Sequence, residues 1–168
     1  MRRNVRDDES LRKATDPAGR MGVYRRFEDV PPHHRLEVHA DAYAGRDVFG
    51  EYLEWEQETY GYDSERYHQI ADRARRYWTE HMAACGRHPA LARPVDVERF
   101  FADLLDRMEP DTAYRTYFTR LESFYDYLLT HTEHPNHLYN PVLMAANDFP
   151  DGATRAVWDF KIGTNDKR

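Results

Sequence analysis

The sequence has few of the features that cross-link small proteins or direct them into membranes. Its only cysteine is Cys85, which excludes an internal disulfide and a cysteine-based zinc site. No apolar run approaches the roughly 18 residues that cross a bilayer, and the mean hydropathy is −0.93. The first ten residues, MRRNVRDDES, lack the apolar segment of a secretory signal peptide. We therefore expect a cytoplasmic protein with no membrane partner.

The common motifs of enzymes are missing as well. The sequence contains no GxxxxGK[ST] or GxGxxG loop for phosphates, no HExxH zinc motif and no GxSxG nucleophile turn. Cys85 is expected at the buried end of a helix, where a thiol is a poor nucleophile. We therefore expect that the chain is not an enzyme and needs no cofactor.

Lysine is scarce and the charge is unevenly distributed. The 168 residues include three lysines against 21 arginines, and the net charge is −6. Residues 1–26 carry eight basic and four acidic groups, whereas residues 27–63 carry two basic and ten acidic groups. Residues 64–93 are again basic, with six arginines against three acids. The local sign of the charge matters more than the net charge when a polyanion binds one face of a protein.

Apolar residues recur with helical spacing, and no alternating strand pattern is present, so the predicted class is all-α. A flexible basic arm is expected over residues 1–32, a helical domain over 33–147, and a C-terminal tail or linker over 148–168. Gly61 and Gly86 are predicted to end helices, Ser64 or Asp63 and Asp96 to cap them, and Pro141 to begin one. Four main helices are predicted at 46–60, 64–85, 97–108 and 112–128, followed by a short one at 141–146.

The outward faces of two predicted helices carry the candidate site. On a helical wheel, the second and fourth helices each present a polar stripe opposite their apolar stripe. Guanidinium, amide and hydroxyl groups suit phosphate oxygens and base edges, so these stripes are predicted to contact duplex DNA. A plain solvated surface is the alternative, since arginine is common on exposed helices. The predicted contact residues are Arg66, Gln69, Arg73 and Arg76 on the second helix, and Arg115, Thr116, Thr119 and Arg120 on the fourth; Arg107 is expected to lie off this face.

A histidine-rich loop offers a different chemistry. His131, His134 and His137 are spaced by three residues, and neutral imidazoles bind zinc well. Pro135 interrupts any regular helix here and no cysteine accompanies the set, so an ordinary exposed loop is the alternative interpretation.

The order of the predicted elements resembles the N-terminal core-binding (SAM-like) domain of tyrosine recombinases and phage integrases. Val95–Met108 (VDVERFFADLLDRM) resembles the third helix of that family, and Thr112–Leu129, with its segment TRLESFYDYLL, resembles the fourth. Asn140-Pro141-Val142 is similar to the Asn-Pro that closes the family's domain. The resemblance covers about residues 45–147, and it implies an orthogonal bundle of four main helices plus a short C-terminal helix.

The resemblance implies DNA binding without DNA cleavage. In the family, the second and fourth helices of this domain lie against the duplex, and a separate catalytic domain carries a His-x-x-Arg pair and a tyrosine nucleophile. No histidine of this chain is followed by arginine three positions later. We therefore expect a DNA-binding, integrase-like protein, nucleoid-associated when bound, that assists or competes with a recombinase or self-associates. The alternative is a helical protein-interaction module that does not touch DNA.

Overall fold

The predicted all-α class is confirmed. The computed structural model describes residues 23–131, 134 and 137–166 together with Pro17, and side chains as far as Phe160. Within these ranges every regular element is a helix and no strand occurs. Most of the predicted basic arm, residues 1–16 and 18–22, lies outside the described residues.

The predicted main helices are present. A π-helical turn at Tyr114–Phe118 lies within one continuous helix that runs from Pro110 to Thr130. Short 3-10 turns come before the first α-helix, at Phe27–Asp29, Pro32–His34 and Leu36–His39. The α-helices are α1 (Ala40–Tyr43), α2 (Val48–Tyr60), α3 (Glu65–Cys85), α4 (Pro94–Leu105), α5 (Pro110–Ala113), α6 (Thr119–Thr130), α7 (Pro141–Asp148) and α8 (Ala153–Asp166).

Most of the predicted helix signals act as expected. Gly61 and Gly86 adopt left-handed φ angles of 68° and 75° and end α2 and α3. The Ser64 side chain accepts a hydrogen bond from the Tyr67 backbone N–H at 3.1 Å, which caps α3. Pro141 is the first residue of α7. Local sequence therefore sets these helix ends.

Asp96 differs from the predicted N-cap. Helix α4 begins at Pro94, three residues before the predicted start at 97, and the fully buried Asp96 carboxylate reaches back to accept the Arg93 backbone N–H at 2.8 Å. Arg87 also donates to Asp96 from its Nε, at 2.7 Å. Burial raises the pKa of Asp96, but the hydrogen bonds from Arg87 and Arg93 outweigh it, so this pKa lies below its usual range.

The predicted C-terminal tail is instead part of the core. Helix α8 packs against α4, α5 and α7, and its Val157 and Trp158 are fully buried. The Glu98 carboxylate of α4 accepts hydrogen bonds from the Thr154 backbone N–H at 3.1 Å and from its hydroxyl at 2.7 Å. The cap of α8 thus comes from a distant residue, which a local sequence pattern cannot reveal.

The described end of the predicted arm also packs on the domain. Val30 is 1% exposed, and Phe27 lies against the core. The Phe27 backbone N–H donates to Asp148 at 3.1 Å, and the Val23 N–H donates to the Leu138 carbonyl at 2.8 Å. The folded part of the chain therefore extends beyond both predicted boundaries, before residue 33 and after residue 147.

Candidate nucleic-acid interface

The predicted contact residues of α3 are all exposed. They lie opposite the side of α3 that is buried through Ala71, Ala74, Trp78 and Met82. Among the described residues, Arg66, Arg73 and Arg76 form no ion pair with a carboxylate. The Gln69 amide donates to Glu65 at 3.4 Å. These three guanidiniums are free to meet an anion.

The remaining arginines of residues 64–93 are neutralised. Arg75 pairs with Asp47, and Arg93 pairs with Glu37. Arg87 pairs with the buried Asp96 described above. Of the six arginines in this segment, Arg66, Arg73 and Arg76 are therefore the three that have no carboxylate partner among the described residues.

The acidic side chains of α3 lie mostly on its other flank. A groove of about 1100 Å³ runs between α2 and α3, and Glu65 and Asp72 of α3 line it. From α2, Glu51 and Glu54 face the same groove, whereas the three exposed arginines of α3 do not line it. Helix α3 thus separates an acidic groove from an arginine-bearing flank, on which Glu80 is the remaining exposed acid of the helix.

A tyrosine between α3 and the π-helical turn marks the centre of the basic flank. Tyr117 packs against Tyr77 of α3, with ring centroids 6.0 Å apart. Burial raises the pKa of Tyr117, and the positive charges of Arg73, Arg107 and Arg76 each oppose this rise. We call Arg73, Arg76 and Arg107 the Tyr117 arginine cluster.

Arg107 was expected to lie off the surface that carries Arg73 and Arg76. It is exposed two residues after α4, and its positive charge, like those of Arg73 and Arg76, opposes the rise in the pKa of Tyr117. The helical wheel treats each helix separately, so it could not relate Arg107 to a tyrosine on another helix.

The predicted residues on the fourth helix are placed unequally. Arg115 is exposed, whereas Thr116 and Thr119 are half-buried. The Thr119 hydroxyl donates to the Arg115 carbonyl at 3.1 Å, which satisfies it within the helix. Arg115 therefore remains accessible to a partner, while the Thr119 hydroxyl already donates to a backbone carbonyl of its own helix.

Arg120 does not face outward as predicted. Its side chain is 18% exposed and forms an ion pair with Glu56 of α2, whose side chain is 8% exposed. The Tyr52 hydroxyl also donates to Glu56, and the Arg120 guanidinium lies 5.2 Å from the Tyr67 ring centroid. Burial disfavours the charged form of Arg120, but Tyr52 and Glu56 outweigh it and raise its pKa.

The reason for this difference is packing across helices. Helices α2 and α3 cover the flank of α6 that carries Arg120, so a residue at the edge of the apolar stripe becomes enclosed. The π-helical turn at Tyr114–Phe118 also changes the register along the helix, because its hydrogen bonds span five residues instead of four. A wheel with a constant 100° step cannot follow that change.

The histidine loop packs instead of forming a metal centre. The rings of His131 and Trp55 pack edge to face, with centroids 4.6 Å apart, and His137 Nε2 lies 2.8 Å from the Tyr43 hydroxyl. His134 Nε2 lies 3.2 Å from the Tyr127 hydroxyl. Within the described part of the chain, no group of three or more histidine, cysteine or acidic side chains is arranged to hold a metal ion.

Comparisons with models of protein families, with curated proteins and with solved structures found no match to this chain. No helix in the described ranges combines the length and apolar character that crossing a membrane requires. The function is therefore inferred from the geometry of the described residues.

Proposed function

We propose that this protein binds duplex DNA through the Tyr117 arginine cluster, with Arg66 and Arg115 extending the contact. The observation that carries the proposal is that Arg73, Arg76 and Arg107 are exposed, form no ion pair with a carboxylate among the described residues, and each lower the pKa of the same tyrosine, Tyr117, which packs on Tyr77 of α3. Guanidiniums of this kind donate to phosphate oxygens, which supply most of the affinity in protein–DNA complexes.

The dimensions of α3 agree with this role. The span from Arg66 to Arg76 covers ten residues, or about 15 Å of helix, which exceeds the roughly 12 Å width of the major groove. Gln69 is exposed but lines the acidic groove and donates to Glu65, so the proposed contact does not include it. The acidic groove between α2 and α3 lies on the opposite flank, so the duplex is expected to approach from the side of α4 and the π-helical turn.

This proposal keeps the interpretation drawn from the resemblance to recombinase core-binding domains, but it moves the interface. In place of Arg120, which is neutralised by Glu56, the contact uses Arg107. The proposed activity is binding without cleavage, in which the chain assists or competes with a recombinase at its DNA site or self-associates there.

Binding to a labelled duplex, measured by fluorescence anisotropy at several salt concentrations, tests the proposal. Replacing Arg73 and Arg76 by alanine is expected to weaken binding to all sequences and to reduce the dependence of log K on log[salt] by about one unit per lost contact. Adding Arg107→Ala should reduce the affinity and the salt dependence of log K further.

The matched control is Arg25→Ala with Arg26→Ala, which removes the same charge from two exposed arginines near the N-terminal 3-10 turn. If both double variants weaken binding equally, the effect comes from net charge and the proposed surface is wrong. If the parent protein does not bind duplex DNA, the protein-interaction alternative is favoured. Its specific support is the acidic groove together with the exposed Tyr60 and Tyr62.

A further inference from the structure

Five aromatic rings form a continuous arc around a cavity of about 530 Å³ between α2, the α2–α3 turn and α6. The centroids of consecutive rings are 5.1 Å apart for Tyr127–Trp55, 5.9 Å for Trp55–Tyr60, 5.6 Å for Tyr60–Tyr62 and 5.1 Å for Tyr62–Tyr67. Tyr60 and Tyr62 are 59% and 45% exposed, so the arc is open to solvent on that side.

The charges that line this cavity leave a negative balance. Glu56, which is 6% exposed, is neutralised by Arg120. Asp126 is the remaining charged residue in the lining; it is half-buried and accepts a hydrogen bond from Asn140 at 3.0 Å. The lining therefore carries a formal charge of about −1, which favours a cation over an anion.

A cation already rests on one ring of the arc. The Arg120 guanidinium lies 5.2 Å from the Tyr67 centroid, within the range of a cation–π contact. Burial raises the pKa of Tyr67 to about 12, so its ring is neutral at physiological pH. The neighbouring aromatic side chains Trp55, Tyr60 and Tyr62 line the same cavity.

We propose that this aromatic cavity binds an alkylated ammonium group, such as a quaternary ammonium. An alkylated ammonium has few or no hydrogen-bond donors and is attracted by the negative faces of aromatic rings, especially tryptophan. The aromatic rings that line this cavity, together with the carboxylates of Glu56 and Asp126 in the same lining, supply those two attractions together. The inference does not depend on DNA binding, which uses a different surface.

Choline and its neutral isostere 3,3-dimethylbutan-1-ol provide the direct test. The two molecules have nearly the same shape and differ in charge, so the isostere reports apolar contact alone. Choline should change tryptophan fluorescence, because Trp55 lines the cavity while Trp78 and Trp158 are fully buried. We expect choline to bind at least about fivefold more tightly than the isostere.

Variants of Tyr60 localise the effect without disturbing the core, because this side chain is 59% exposed. Tyr60→Phe keeps the ring and should bind choline like the parent, whereas Tyr60→Leu should weaken choline about fivefold and leave the isostere unchanged. Equal affinity for choline and isostere, absence of choline binding, or equal binding by both variants would overturn the proposal.

A peptide with one trimethyl-lysine distinguishes the source of the ammonium group. Tighter binding of this peptide than of choline, and no binding of the unmethylated peptide, assigns the group to a protein side chain. Tighter binding of choline assigns it to a free small molecule, and either result supports the site.

Discussion

The buried Glu56–Arg120 pair gives the most direct test of the structure, because Arg120 was predicted to contact DNA and instead lies inside the protein. We consider Arg120→Met, which removes the charge but keeps an unbranched apolar side chain. In this variant the Glu56 carboxylate, with 8% of its side chain exposed, keeps the hydrogen bond from the Tyr52 hydroxyl but loses its positively charged partner.

Breaking a buried ion pair by removing one partner costs about 3–5 kcal/mol, because the other charge stays buried without compensation. We expect Arg120→Met to lose about 3 kcal/mol, near the lower limit, because the Arg120 side chain is 18% exposed. Glu56→Gln should be destabilising for the same reason. The double variant should lose clearly less than the sum of the two, with a coupling of at least about 1 kcal/mol.

Urea denaturation followed by far-ultraviolet circular dichroism gives the free energy of unfolding of the four proteins. An unchanged denaturant dependence, the m-value, would show that the compactness of the end states is preserved. Arg73→Ala is the surface control and should change stability by less than about 0.5 kcal/mol. Additive losses in the double variant, or an Arg120→Met effect as small as that of the control, would refute the buried pair.

Two further predictions concern parts of the fold that the sequence did not reveal. Burial, together with His39 and His134, lowers the pKa of His137 to about 3 from 6.5. Because the unfolded chain takes up this proton near pH 6.5 and the native protein does not, the free energy of unfolding should fall as the pH drops below about 6.5. A pH series of urea titrations should show a shallower fall in His137→Phe, and an identical fall would contradict this origin. Trp158→Ala should cost about 3–5 kcal/mol if α8 belongs to the core, and a midpoint of thermal unfolding close to that of the parent would contradict it.

The main helices were predictable because their signals are local. The apolar stripe of α3 is complete within its own sequence, and Ser64 and Gly86 mark its two ends. Helix α8 was not predicted because its stabilising partners are distant. Trp158 needs the surfaces of α4, α5 and α7, and the first turn of α8 is held by Glu98 from α4.

The candidate site was predicted only in part for a related reason. The helical wheel placed Arg66, Arg73 and Arg76 correctly on the exposed side of α3, since that helix is regular along its length. It misplaced Arg120, whose surroundings are set by contacts between helices. The ring series from Trp55 to Tyr67 does carry a sequence signal, because four of the aromatic residues lie within 13 positions, but only folding joins them to Tyr127.

Acidic side chains lie on one flank of α3 and exposed arginines lie on the other. This arrangement should determine how the proposed DNA binding responds to salt. At physiological ionic strength the Debye length is about 8 Å, so the acidic groove is largely screened from a duplex on the opposite flank. At 0.01 M salt the Debye length rises to about 30 Å, which exceeds the width of a single helix, and the acids between α2 and α3 then repel the same duplex. The measured salt slope of the parent protein should therefore flatten at low salt and underestimate the number of phosphate contacts. Because this repulsion is common to both proteins, the difference in slope between the parent and the variant lacking Arg73 and Arg76 counts the local contacts directly.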